Sequence, residues 1–229
     1  MKIVIIHGQN HKGSTYHIAR MLAEKIKGDI KEFFLPRDFG EFCVGCTKCF
    51  MESEKKCPHY EKLKPLTDAM DEADVIILAS PVYVYHVTGA MKTFLDHYGY
   101  RWMVHRPKES MFRKQGVCIS TAAGAGMKPT NKDMADSLFF WGVAKRYQYG
   151  VRVAAVNWNG VSEKKKSAID KATSGIAKKI VNNSKHVKPG IKTRAMFWAM
   201  HFAQRKGFNP CDAEYWKSKG WTGKKKPWK

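Results

Sequence analysis

Short runs of branched apolar residues alternate with longer stretches of helical period along this chain. Ile3-Val4-Ile5-Ile6 is apolar at every position, so both faces of a strand there must be covered, as in the middle of a sheet. Val75-Ile76-Ile77-Leu78-Ala79 has the same character, and Gly116 to Ser120 and Val151 to Val156 supply two further runs. Ile30 to Leu35 carries Lys31 and Glu32 and reads as an edge strand. Helices are expected from Ser14, a capping residue, with Ile18, Leu22 and Ile26 on one face, and near Ala90 to His97 with Met91 and Leu95. Two more are expected: one capped by Asn131 and carrying Met134, Leu138 and Trp141, and one from Glu163 to Val181 with Ile169, Ala172, Ile176 and Ile180 in register.

Alternation of this kind implies right-handed crossovers and a parallel sheet covered by helices on both faces. The expected fold class is therefore α/β, with five parallel strands in the flavodoxin-like order 2-1-3-4-5; a dinucleotide-binding sheet is the competitor. The composition changes near Lys185: from there to Lys229 stand twelve Lys or Arg, two acidic residues and eight aromatics. This divides the chain into a core, residues 1–185, and a basic, aromatic-rich C-terminal extension, residues 186–229.

In such a fold ligands bind at the carboxyl ends of the strands, where the strand order reverses. The loop His7 to Thr15 leaves the first strand and opens a helix, so its backbone N–H groups and helix dipole suit an anion, with Ser14 and Thr15 adding hydroxyls. It is neither a Walker A sequence, since Gly13 stands where that motif needs Lys, nor G-x-G-x-x-G. A phosphate monoester such as the tail of FMN fits better than ATP, GTP or a dinucleotide; the bland alternative is an ordinary capped turn. After the third strand, Ser80 to Gly89 presents Tyr83 and Tyr85 behind the stiff Pro81, a surface suited to a flat heterocycle or simply to covering a helix end. After the fourth strand, Thr121 to Gly126 is made of small residues that let a ligand approach the backbone.

Cys43-x2-Cys46-x2-Cys49-x7-Cys57-Pro58 is the sharpest local pattern. Four closely spaced thiolates suit a 4Fe–4S cluster; structural zinc and metal-free thiols are the other readings. With no targeting segment after Met1, these cysteines are expected to be reduced and the protein cytoplasmic, and no transmembrane segment is expected.

Together, His7 to Thr15, the Cys43–Cys57 segment, Ala73 to Tyr83 and Gly89 to Asp96 resemble the flavodoxin-like NADPH-dependent FMN reductase family, including its iron–sulfur flavoprotein branch. The resemblance implies non-covalent FMN, its phosphate on Gln9, His11, Gly13, Ser14 and Thr15. It places the flavin ring against Pro81, Val82, Tyr83 and Val84, and against Thr121, Ala122 and Gly124. Relatives usually carry Ser and Arg where Gln9 and His11 stand here. The implied activity is NAD(P)H oxidation through FMN to a quinone, flavin, nitro- or azo-aromatic, or to a protein. The flavin carries the chemistry, so no side chain is expected to act as a catalytic nucleophile or strong base. The alternative is an electron-transfer iron–sulfur flavoprotein, with Cys43, Cys46, Cys49 and Cys57 as ligands, working with a ferredoxin-like electron carrier. A homo-oligomer, dimer or tetramer, is also implied.

A formal charge of +21 invites a nucleic-acid reading, and Trp198, Trp216, Trp221 and Trp228 interleave with basic residues as single-strand binders require. No named nucleic-acid motif supports it, so the extension is expected to dock on the core or on another subunit. Arg194 to Phe208, with Phe197, Trp198 and Phe202, is also compatible with a basic amphipathic helix at a membrane surface.

Overall fold

The computed structural model describes residues 1–229. β1 (Lys2–His7), β2 (Asp29–Phe34), β3 (Val75–Pro81), β4 (Gln115–Ala122) and β5 (Lys145–Arg152) form one sheet in the order β2-β1-β3-β4-β5. Every neighbouring pair is parallel. The expected order is observed, and its cause is visible in the two-sided strands. Ile3 and Ile5 of β1, with Val75 and Ile77 of β3, pack against α1 (Ser14–Ile26) and α6 (Glu163–Asn183). Val4, Ile6, Ile76 and Leu78 point the other way, against α3 (Tyr60–Glu72), α4 (Gly89–Asp96) and α5 (Met127–Phe140). Each such side chain gains roughly 1.5–3 kcal/mol by leaving water, which makes a one-residue slip of register prohibitive.

Three local expectations are corrected. β5 ends at Arg152 rather than running from Val151 to Val156. It is a half-exposed edge strand in which Tyr147, Tyr149 and Val151 pack on one face, Gln148 and Arg152 are exposed, and Gly150 lies close against Met127 of α5. The apolar run beyond it is the strand's exit, turned at Ala154 by a φ of 50°. Gly13, not Ser14, is the N-cap of α1, and Ser14 is its first residue. α5 begins behind Gly126, four positions before Asn131, which lies buried inside the helix. α3, for which the periodicity above places no helix, fills the crossover from β2 to β3 and buries Leu63, Leu66, Ala69 and Met70 despite Pro65. A short helix, α2 (Lys48–Met51), precedes it within the cysteine segment.

The basic extension folds back on the core as α7 (Ile191–Lys206) and α8 (Pro210–Ser218). Phe197, Trp216 and Trp221 join Met103 and Phe112 in a third apolar cluster. Phe197, which the membrane-surface alternative would turn outward, is therefore buried, while Phe202 of the same helix stays exposed. Trp216 and Trp221 are fully buried, so neither can stack on a base. No helix is long and apolar enough to cross a membrane.

The extension also grips the cysteine segment. Buried Asp212 of α8 accepts from Arg106 Nη1 at 2.5 Å and pairs with His105 Nδ1 at 2.7 Å. Arg106 in turn donates to the carbonyls of Phe50, at 3.0 Å, and Cys49. Asn209 donates to Phe50 O at 3.1 Å, and the Cys211 thiol to Met51 O at 2.8 Å.

Candidate functional site

Three strand exits meet at the carboxyl edge of β1, β3 and β4. Gln9, His11, Gly13, Ser14, Thr15, Pro81, Val82, Tyr83, Thr121 and Ala122 line one shallow depression of about 170 Å³ there. These are ten of the twelve residues expected for the cofactor, from three segments far apart in sequence. Val84 and Gly124 are outside the lining. Val84 and Tyr85 both adopt left-handed backbone, with φ of 49° and 67°, which turns the Val84 side chain to solvent. Gly124 is exposed, and a Cβ there would meet open space. Ala123, Val153, Ala155 and Val156 complete the wall and were not expected. A correct end for β5 would have exposed the last three, since they are its carboxyl-end loop.

Hydrogen bonds fix the floor of this depression. Gly8 N donates to Ala79 O at 2.7 Å, extending the β1–β3 ladder. The Thr88 hydroxyl donates to Gly8 O at 2.5 Å and caps α4 by accepting from Met91 N at 3.1 Å. Val82 N donates to Thr121 O at 2.9 Å, and the Thr15 and Thr121 hydroxyls share a bond of 2.6 Å. Above it, Tyr83 donates to Gln9 Oε1 at 3.1 Å and Gln9 Nε2 meets His11 Nε2 at 3.0 Å. Gly126, with φ of 97°, permits the close approach of the second loop: a Cβ there would lie 2.6 Å from Val82 Cγ1 and 3.1 Å from Tyr85 Cα.

The chemistry of this donor set fits the phosphate of FMN. His17 N is bonded to Gly13 O, so the amides before it, at the start of α1, lack intrahelical partners. The first turn contains no acidic residue. Its dipole, its free N–H groups and the buried Ser14 and Thr15 side chains all favour a small anion. A larger cavity of about 430 Å³ lies between α4 and α5, lined by Asp96, Asp133 and Asp136 with Lys92 already paired to Asp96, so it offers a phosphate no free cation. His86, held by Asp133 at 3.0 Å, ties the 82–88 loop to α5 on the side of this cavity.

The cysteine segment is a second centre. Cys43 and Cys46 are exposed, and Cys49 and Cys57 half-buried. Burial pushes the Cys49 thiol up to about 11, and the neighbouring Cys57, Cys43 and Cys46 add to the rise. Four thiols of this kind fit the donor set of a 4Fe–4S cluster. A single zinc ion, bound at about 2.3 Å to each sulfur, would hold its sulfurs roughly 3.8 Å apart. The donors gathered to within 4.8 Å of one another are instead Cys57, His59 and His97. Neither histidine was expected there; the signal was Cys57-Pro58-His59, and its partner arrives only through the packing of α4.

A family model described as NADPH-dependent FMN reductase matches residues 1–153. An iron–sulfur flavoprotein of Archaeoglobus fulgidus is 39% identical over 88 residues, covering 37% of this chain and 36% of that protein. An NADPH azoreductase of a Bacillus species is 31% identical over 130 residues, covering 55% of this chain and 61% of the other. The chain thus spans between about a third and three fifths of the length of these curated relatives. Among solved structures, a flavone reductase superposes with a TM-score of 0.59 at 18% identity, over 83% of this chain and 66% of the other, which is a likeness of fold.

Proposed function

The chain belongs to the NADPH-dependent FMN reductase family, and on that premise we propose that it is an FMN-dependent NAD(P)H oxidoreductase delivering electrons to a small-molecule acceptor. The observation that supports this most directly is the convergence of the α1 N-terminus, the Pro81–Tyr83 segment and Thr121–Ala122 on one depression. In this reading Gly13, Ser14 and Thr15 hold the phosphate through amide and hydroxyl donors, with Gln9 and His11 above it. Thr15 is held in place by Thr121. Pro81, Val82 and Tyr83 form one wall for the ring, and Val153, Ala155 and Val156 the other. When bound, FMN supplies the two-electron redox chemistry. The protein supplies binding, orientation and exclusion of water, and no side chain need move a proton.

The depression is smaller than the roughly 300–1,000 Å³ usual for ligand pockets. Tyr83, Val84, Tyr85 and Val156 are exposed at or beside its rim. A second copy of the chain covering this rim would enclose the ring, so a homo-oligomer, most simply a dimer, is part of the proposal. Cytoplasmic placement belongs to the same reading, supported by six unpaired cysteines.

A second reading, electron transfer through a 4Fe–4S cluster on the four cysteines to a ferredoxin-like carrier, is supported by the close spacing of Cys43, Cys46, Cys49 and Cys57 along one segment. It is the weaker one, because Cys57 also faces two imidazoles. Anaerobic purification, flavin extraction and steady-state oxidation of NADPH and NADH with quinone and azo acceptors test the proposal. One FMN per chain and acceptor-dependent turnover are expected. A protein that takes up no FMN, or holds it without turnover by either nucleotide, would refute the reductase reading.

A further inference from the structure

Cys57, His59 and His97 lie outside the flavin depression. α4 separates them: Thr88 caps its N-terminus beside the depression, and His97 follows its last residue, about 12 Å further along for an eight-residue helix. Cys57 and His59 come from the turn that opens α3. The three ligand atoms lie within 4.8 Å of one another, with His97 buried and the other two half-buried.

The tautomers follow from the hydrogen bonds. His97 Nδ1 lies 2.8 Å from Thr93 O, a carbonyl of the last turn of α4. A carbonyl only accepts, so Nδ1 carries the hydrogen and Nε2 presents a lone pair. That lone pair is 3.0 Å from His59 Nδ1, which must then donate to it. A single hydrogen therefore sits between two nitrogens that are both metal-ligand atoms, beside a thiol. Orientation of one imidazole by a backbone carbonyl through its far nitrogen is how metal-ligating histidines are held. Phe39, edge-on to His97 at 4.9 Å between centroids, walls the site with apolar surface.

We infer that Cys57 Sγ, His59 Nδ1 and His97 Nε2 form a mononuclear site for a divalent ion of the zinc class. Two imidazoles and one thiolate suit zinc in donor type and number, leaving a fourth position for water. Binding releases the Cys57 thiol proton and shifts His59 to its Nε2–H tautomer, so one proton leaves per ion. The ion would join the cysteine segment to the C-terminal end of α4, the helix whose other end holds the flavin loop. It competes with a four-thiolate cluster, which needs Cys57 as its last ligand, and it is independent of FMN.

The test is anaerobic titration of the chelator-treated full-length protein with cobalt(II), followed by displacement with zinc. One cobalt per chain, a thiolate-to-cobalt charge-transfer band and the visible bands of a tetrahedral ion are expected. Cys57→Ala and His59→Ala should each weaken binding more than ~100-fold, beyond the 10–100-fold typical of losing a supporting residue. Cys43→Ala should leave it unchanged. His97→Phe is the stricter variant, and His59→Ala, half-exposed, serves if that protein does not fold. FMN affinity, measured on each variant, should not move, so failure of the flavin reading would show separately. Absence of the charge-transfer band, equal dependence on Cys43 and Cys46, or iron and sulfide bound through Cys57 would each overturn the inference.

Discussion

Asp212 anchors the C-terminal extension, and its removal gives the most sharply defined energetic test. The carboxylate is 1% exposed and meets Arg106 Nη1 at 2.5 Å and His105 Nδ1 at 2.7 Å. In Asp212→Ala the Arg106 guanidinium, 9% exposed, keeps its charge but loses its anionic partner. Breaking a buried pair from one side costs about 3–5 kcal/mol. For a chain of this size each kcal/mol lowers the melting temperature by about 2–4 °C, so a fall of about 6–20 °C is expected. Circular dichroism melting at pH 7 measures it, with a urea transition to check that the m-value is unchanged. Because Arg106 also holds Phe50 O and Cys49 O, the cysteine segment should loosen as well, and Cys49 should react faster with a thiol reagent. Asp68→Ala, which breaks the exposed pair with Lys64, is the control and should leave the midpoint within error. A shift for Asp212→Ala no larger than this control's would refute the argument that the extension is clamped through a buried charge.

At the flavin site, the double variant Ser14→Ala/Thr15→Val should raise the FMN dissociation constant by about 10²–10⁴-fold, the loss of two hydrogen bonds to a charged group at about 1.5–3 kcal/mol each; fluorescence titration reads this directly. Gly126→Ala should weaken FMN binding and lower the melting temperature, because its Cβ would drive into Val82 at a backbone φ of 97°. His7, His17 and His97 are all held below the usual histidine value, burial being the main cause. The unfolded chain then takes up protons first as pH falls below about 6.5, so the stability these neutral rings provide is present above that value and drains away through their lower folded values. Melting followed from pH 7.5 to 5.5 should fall on the acid side, and His7→Phe, which keeps the stack on Phe34, should flatten part of that slope.

The strand order was legible because β1 and β3 are apolar on both faces, a property of a few consecutive residues that only a central position in a sheet satisfies. β5 was misplaced because an edge strand hides half its residues, and Lys145-Arg146-Tyr147-Gln148 reads as polar until Tyr147 and Tyr149 are seen covered by α6. The walls of the candidate site followed the same division. Loops that leave β1, β3 and β4 were found from strand ends, whereas Val153, Ala155 and Val156 were lost with the end of β5.

What the sequence determined by itself was local: hydrophobic period, helix-opening glycine and hydroxyl residues, and the spacing of Cys43, Cys46, Cys49 and Cys57. These depend on neighbours within a turn or two, and so they survive without knowledge of the fold. What the tertiary structure alone decided was which distant groups meet. His97 reaches Cys57 and His59 because α4 packs beside the start of α3. Asp212 reaches Arg106 because α8 folds back over the cysteine segment. The apolar face of α7 turns inward because Phe112, Trp216 and Trp221 offer it a dry surface that no membrane need supply. Such meetings are set by the summed packing of the whole chain, and no window of sequence contains them.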